Sequence, residues 1–181
     1  MQKRPESAKQ RPIPLDFAAT WSQFTKINMH RRASDAAEIA FWRQNAHGYD
    51  DGTQRDPDSY RETLRVLQSL LRPDDTLLDV GAGSGRFALP LAQSVKQVTA
   101  LDLSPDMLAI FERRAAEGDI SNIQPRRGNW EDTPIESHDV VLAAWSLYLQ
   151  RDILASLQKL IDTTRRTLII FYLRLEPAGD E

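Results

Sequence analysis

Three glycines, Gly81, Gly83 and Gly85, alternate in a turn that follows the apolar run Leu77–Val80, with Asp79 two residues before the first of them. A second apolar run then ends in Leu101-Asp102, seventeen residues after Gly85. Glycine has no Cβ and tolerates positive φ, so a ligand can approach such a turn closely. The helix-compatible run after it, Arg86 to Ala92, would begin with unpaired N–H groups. An acid at the end of the second strand can accept both hydroxyls of a ribose. Together these residues describe a pocket for a ribose-bearing cofactor.

Spacing narrows the cofactor. A dinucleotide turn reads G-x-G-x-x-G, its third glycine allowing close helix–strand packing. Here that third position is Arg86, which argues against a nicotinamide-dependent oxidoreductase. The pattern present is D-x-G-x-G-x-G, which resembles motif I of the class I S-adenosylmethionine (SAM) dependent methyltransferases. The resemblance covers about residues 38–175 and is closest to small-molecule methyltransferases of the ubiquinone/menaquinone-biosynthesis type. It implies in-line transfer of the SAM methyl group to a small-molecule acceptor, leaving S-adenosylhomocysteine (SAH).

The resemblance also implies roles. Gly81, Ala82 and Gly83 would pass under the methionine and ribose, Asp79 would help hold the methionine end, and Asp102 would bind the ribose. Asp102 as a simple helix cap is the competing reading, weakened because Ser104 already suits that task. Leu103 and Met107 would lie against adenine, although Met107 reads equally as core. Asn129 stands where the family usually has an aspartate that accepts from the adenine amino group; its side-chain oxygen can still accept. Trp130 would offer its backbone N–H to the ring and could stack on it, or else cover its own loop. Backbone near Ala144 would approach the methionine ammonium, with Trp145 or Tyr148 toward the acceptor; both aromatics could instead serve helix packing. Phe41–Asp50 resembles the family's entry segment, with Tyr49 as a lid contact. No catalytic base stands out: His47, a residue type that serves as a general base, and Tyr148 are the weak candidates.

Composition removes other classes. The chain has 181 residues, enough for one domain, and a formal net charge of −3. Without a basic excess, a dedicated nucleic-acid binder is disfavoured. There is no cysteine, hence no disulfide, thiolate nucleophile or cysteine metal site. His30, His47 and His138 are scattered, so no metal is expected. No Asn/Asp-Pro-Pro-Tyr/Phe follows the fourth strand, unlike enzymes that methylate amino groups of bases or glutamine. No membrane-length apolar run or signal-peptide core is visible, and a cytoplasmic protein is the expectation.

These residues need a scaffold. Residues 1–14 read as a flexible basic tail, 15–72 as a helical lid or cap, and 73–181 as the SAM-binding core of a single domain. In 15–47 one helix carries Leu15, Phe17, Trp21, Phe24 and Ile27. A second, capped by Ser34 or Asp35, carries Ala36, Ala37, Ile39, Ala40 and Phe41. His47–Gly52 reads as a turn, and a helix capped by Asp58 or Ser59 should bury Leu64, Leu67, Leu70 and Leu71. Strands are predicted near 76–80, 97–102, 122–127, 138–144 and 166–173, with helices near 85–94, 105–117 and 151–163. This alternation predicts an α/β fold: a Rossmann-like, doubly wound, mostly parallel sheet of about five strands. Every motif residue falls at a strand C-terminus or just after it, where such sheets bind ligands. The resemblance implies a further helix and antiparallel strand pair after the fifth strand, and only Arg174–Glu181 follow it here. An Ile- and Phe-rich edge strand should then be covered by another chain, in a homodimer or with a partner, by the N-terminal helices or by a crystal neighbour. The alternative function is a SAM-binding module that is non-catalytic or needs a partner chain. An RNA or protein methyltransferase is less favoured.

Overall fold

The computed structural model describes residues 34–52 and 57–171. The expected tail (1–14), the helical run before Ser34 and the last residues of the fifth strand lie outside the described residues.

Helix α1 (Asp35–Gly52) starts at Ser34, whose Oγ accepts the Ala37 N–H at 3.3 Å. It runs through His47–Gly52, which correction replaces the predicted turn with helix. Tertiary packing explains the override: Glu38, Trp42 and Ala46, each four residues apart, share one face. Trp42 and Ala46 pack there against Met107 and Ile110. A packed face carries a helix past a glycine that propensity alone would break at. The face that buries is therefore not the Ala36–Phe41 face expected, since Ala36 and Ala40 are exposed.

Helix α2 (Pro57–Ser69) buries Leu67 completely and packs Leu64 and Leu71 on the same core. Leu70 is a correction: at 40% exposed it lies beyond the helix end, where its carbonyl accepts from Arg166.

The five strands are β1 (Thr76–Val80), β2 (Gln97–Asp102), β3 (Ile123–Arg127), β4 (His138–Ala144) and β5 (Thr164–Phe171). Their order is β3-β2-β1-β4-β5, and every described pairing is parallel. Alternation along the strands divides the core in two. Leu77, Val98, Ala100, Val140 and Leu142 face α2, α3 (Ala88–Ala92) and α4 (Pro105–Glu117). Leu78, Val80, Leu101, Val141 and Ala143 face α5 (Ile153–Thr163) and Trp130. The edge strand β3 departs from the apolar expectation: Gln124 to Arg127 are exposed, and Pro125 is tolerated there because an edge N–H is dispensable.

Helix α3 is shorter than predicted because the turn consumes residues 81–87. Gly81, Gly83 and Gly85 take φ of +75°, +57° and +84°. Such conformations are closed to most side chains. The Gly81 and Ala82 N–H groups both donate to the Leu101 carbonyl, at 2.8 and 3.0 Å, pinning the turn over the end of β2. Helix α4 starts as the sequence suggests, on Ser104, whose side chain accepts the Met107 N–H (3.2 Å), and α5 starts on Asp152, a cap the sequence reading did not name, whose side chain accepts the Ala155 N–H (3.0 Å).

Candidate functional site

The strand order reverses between β1 and β4, since β2 and β3 extend one way from β1 and β4 and β5 the other. The crevice at such a reversal is where an open parallel sheet has room for a ligand. A cavity of about 490 Å³ opens there, the size of a small-molecule site. Val80, Gly81 and Gly83 form its floor. Asp102, Leu103, Met107, Gly128 and Asn129 border the β2–β3 end. Ala144, Trp145, Ser146 and Tyr148 border the β4 end.

Two carboxylates define the electrostatics. Asp102 accepts from the Gly83 N–H through Oδ2 and from the Ser104 N–H through Oδ1, both at 2.8 Å. It therefore fixes the glycine turn to the start of α4. A carboxylate has about four acceptor positions, so both oxygens keep capacity for a diol. Burial pushes its pKa up, and the N–H bonds from Ser104, Gly83 and Leu103 oppose that rise. Asp79 is 3% exposed, and its Oδ1 is buried without a hydrogen-bond partner. Burial, and secondarily the Asp102 charge, raise its pKa to about 7. A buried carboxylate lacking a donor costs free energy until a donor or cation arrives.

Trp145 holds φ at +55°. That is a strained conformation for a bulky residue. Its ring stacks on Phe171 (5.9 Å between centroids) and leans on Phe87 (5.6 Å). This packing holds the turn by which the chain leaves β4. Next to it the Ser146 hydroxyl donates to the Val80 carbonyl at 2.6 Å, tying the two strand ends across the crevice.

Several expectations need correcting. Ala82 does not reach the cavity; its side chain is buried in the core, and its part in the turn is the N–H given to Leu101. Asp79 is buried near the end of β1 and is not among the residues that border the cavity, which leaves its expected place at the methionine end untouched. Trp130 borders the cavity, but its ring is 3% exposed and packed beneath α5, with Nε1 donating to the Ser156 carbonyl at 3.3 Å. Stacking on a ligand is thereby replaced by core packing. His47 faces a separate groove with Arg43, Asp106 and Arg113, because the continuing helix turns it toward α4. Tyr49 falls on α1, and its side chain lies outside the described residues. Gly81, Gly83, Asp102, Leu103, Met107 and Asn129 come together at the cavity, joined by Ala144, Trp145 and Tyr148.

The sequence reading missed the α1 wall. Ser34, Asp35, Glu38 and Trp42 border the cavity, and Trp42 Nε1 donates to Glu38. Their three-to-four-residue spacing was the available signal, hidden because three of the four are polar. Asn129 Nδ2 donates to Asp35 Oδ1 at 2.9 Å, linking α1 to the β3 loop, while its Oδ1 accepts the Glu131 N–H at 3.0 Å. Lys159 was missed as well. Its Nζ sits 4.5 Å from the Trp130 ring centroid and donates to the carbonyls of Trp130 and Thr133, bracing the same loop.

The donor set fits SAM. An ammonium or sulfonium would give Asp79 Oδ1 the partner it is without, Asp102 retains capacity for ribose hydroxyls, and Leu103 gives apolar surface for a flat ring, while Met107 borders the cavity but is 2% exposed and packs with Trp42, Ala46 and Ile110 as core. Among the described residues no group of side chains could hold a metal ion, and no helix is long and apolar enough to cross a membrane.

Residues 77–167 match a family model described as a methyltransferase domain. An uncharacterised protein of Haemophilus influenzae is 38% identical over 95 residues, covering 50% of this chain and 34% of that protein. The matches span about a third of the length of the first curated relatives. A candidate S-adenosyl-L-methionine-dependent methyltransferase of Methanococcus maripaludis shares the fold at a TM-score of 0.62 and 20% identity, over 70% of this chain and 63% of that one. The DhpI–SAH complex does so at a TM-score of 0.60 and 24% identity, over 72% and 63% of the respective chains. Both likenesses show the Rossmann-like fold.

Proposed function

The chain belongs to the methyltransferase-domain family, and from that premise we propose that it binds SAM at the crevice between β1 and β4 and methylates a small-molecule acceptor. The observation that carries this reading is the switch-point cavity whose glycine turn is clamped by Asp102, with Asp79 Oδ1 buried nearby without a hydrogen-bond partner. Bound SAM supplies a methyl group on a sulfonium, already activated for displacement by the acceptor.

The chain's own residues bind and align. Asp102 takes the ribose hydroxyls while keeping the Gly83 and Ser104 N–H bonds. Asp79 neutralises the cationic methionine end, and Leu103 flanks the adenine. Asn129 and the Trp130 backbone stand at the adenine edge. Trp145 and Tyr148, at the β4 end, face the acceptor. Holding two reactants in line can supply much of the rate. Among the described residues no histidine borders the cavity, and His138 is held between the Glu136 carbonyl and the Thr99 hydroxyl. The reading therefore favours alignment over a histidine base.

Calorimetric titration with SAM and SAH, with NAD as a control, tests this. Micromolar binding of the SAM pair but not NAD is expected. Asp102→Ala should weaken it by at least about tenfold, one lost charge-assisted contact being worth that much. Circular dichroism must accompany the variant, because Asp102 also holds two backbone N–H groups. A folded wild-type chain that binds neither SAM nor SAH refutes the proposal.

A further inference from the structure

Arg86 follows the glycine turn directly and borders the cavity beside Trp145 and Ser146. Its guanidinium carbon lies 5.0 Å from the ring centroid of Tyr60, 5.6 Å from Phe87 and 5.3 Å from Trp145. Three elements thus bring rings to one cation, which attracts them through their π faces. Tyr60 is itself anchored, its hydroxyl donating to the Arg86 carbonyl at 2.6 Å.

Among the described residues no carboxylate pairs with Arg86, although six other arginines form ion pairs. Its Nε is buried without a hydrogen-bond partner. A purely structural arginine in an aromatic collar would be expected to satisfy that donor, since an unmet buried N–H is destabilising. Rings covering the faces of a guanidinium leave its edge, where the N–H groups lie, as the place for a partner. That edge suits a planar two-oxygen anion, held by parallel hydrogen bonds.

Around the glycine turn charge is divided in the same sense: Asp102 borders the cavity at the β2 end, and Arg86 borders it beside Trp145, toward β4. A ligand whose nucleoside sits at Asp102 would extend its other end toward Arg86.

We propose that Arg86, held by Tyr60, Phe87 and Trp145, is the carboxylate-recognition residue of this cavity. The inference rests on the SAM reading above. Two sources carry that chemistry, the amino-acid end of the cofactor and a carboxylate on the acceptor. Arg86→Gln removes the charge and the fork; Arg86→Lys keeps the charge alone. Both should fold, as judged by circular dichroism and melting.

The test titrates wild type and both variants with SAH, with 5′-methylthioadenosine, which lacks the amino-acid end, and with benzoate against neutral benzamide on SAH-loaded protein. If the cofactor's carboxylate is the ligand, Arg86→Gln weakens SAH about 10- to 100-fold and leaves methylthioadenosine unchanged. If the acceptor's carboxylate is the ligand, both nucleosides bind every variant equally. Benzoate then binds wild type in preference to benzamide, and that preference disappears in Arg86→Gln. Arg86→Lys should fall between in either case. Unchanged SAH affinity together with no benzoate preference overturns the assignment. Wild type that binds neither nucleoside refutes the SAM reading instead. Benzoate on the unloaded protein then decides Arg86, and absence of an Arg86-dependent preference overturns that too.

Discussion

Replacing Gly85 and Gly83 separately by alanine should dissociate folding from binding. An alanine Cβ at Gly85 would lie 2.6 Å from Leu89 Cγ, 2.6 Å from Phe111 Cδ2 and 2.8 Å from Leu89 Cδ1, well inside contact distance. Phe111 is fully buried and Leu89 nearly so, hence neither can swing into solvent. Overpacking of that kind costs about 1–3 kcal/mol. Gly85 also holds φ at +84°. That conformation adds about 1–2 kcal/mol for any residue with a Cβ. Together these predict a loss of about 2–5 kcal/mol, or roughly 5–20 °C in Tm for a chain of this length. At Gly83 the same Cβ would meet nothing within 4 Å, and φ is +57°. Only the backbone cost remains, about 1 kcal/mol and roughly 2–4 °C. Gly83 borders the cavity, so the added methyl occupies ligand space. It should weaken SAH by at least about tenfold, or ~1.4 kcal/mol. Thermal melts and SAH titration of the two variants measure both effects. A Gly85→Ala protein melting as wild type does would refute the packing argument. A Gly83→Ala protein that keeps full SAH affinity would refute the placement of the ligand over the turn.

Other perturbations test the surroundings. Asn129→Asp would set a carboxylate against Asp35, replacing a 2.9 Å hydrogen bond by repulsion. A loss of about 1 kcal/mol at neutral pH is expected, relieved in Asn129→Asp/Asp35→Asn, and melts of the single and double variants check it. Asp79 has its folded pKa raised from 3.8 to about 7, so the folded state retains a proton that the unfolded chain releases earlier. Its contribution is complete below about pH 4 and disappears as pH rises through about 7. Asp79→Asn should flatten the stability profile over that window and melt higher than wild type above it, read by denaturant unfolding against pH. His138 acts in the opposite sense: burial lowers its pKa below 6.5, so its contribution is present above 6.5 and is lost as pH falls through the lower folded value. His138→Gln should soften the decline in stability on acidification in the same unfolding series. Lys159→Met would leave the carbonyls of Trp130 and Thr133 without their ammonium. It should destabilise by about 1–3 kcal/mol, with faster hydrogen exchange in residues 129–133 as the local readout.

The five strands and the C-terminal ends that carry the site were legible because periodicity and punctuation agree there. Ser104-Pro105 starts a helix, three glycines make a turn, and β-branched runs make strands. The reading failed where tertiary contact outweighed local signal. Gly48 and Gly52 suggest a turn, yet α1 continues because Trp42 and Ala46 pack on Met107 and Ile110. Trp130 looks like a ligand-stacking ring in a loop, yet Ser156 and Lys159 draw it under α5, contacts 26 and 29 residues away that no local pattern announces. In the sequence Arg86 stands out only as a missing glycine. Its collar comes from Tyr60 and Trp145, on elements that meet it only once the sheet has formed.

The residues that shape the cavity are also those that lock the crevice. A Cβ on Gly81 would collide with Ser146, so close approach of the β1 turn to the β4 turn requires glycine. Ser146 in turn bonds Val80, while Trp145 carries the strain of a positive φ on one residue so that its neighbours can line the site. Leu101 and Asp102 hold the turn from the β2 side. Fixed from both sides, the floor cannot relax toward Asp79, whose unpaired oxygen is left to the ligand. Such a site accepts desolvation strain in the free protein and returns it as affinity, because a buried polar group without a donor gains most when a charged donor reaches it. Stability and ligand affinity should therefore move in opposite directions in Asp79→Asn, a pairing that simple loss of structure could not produce.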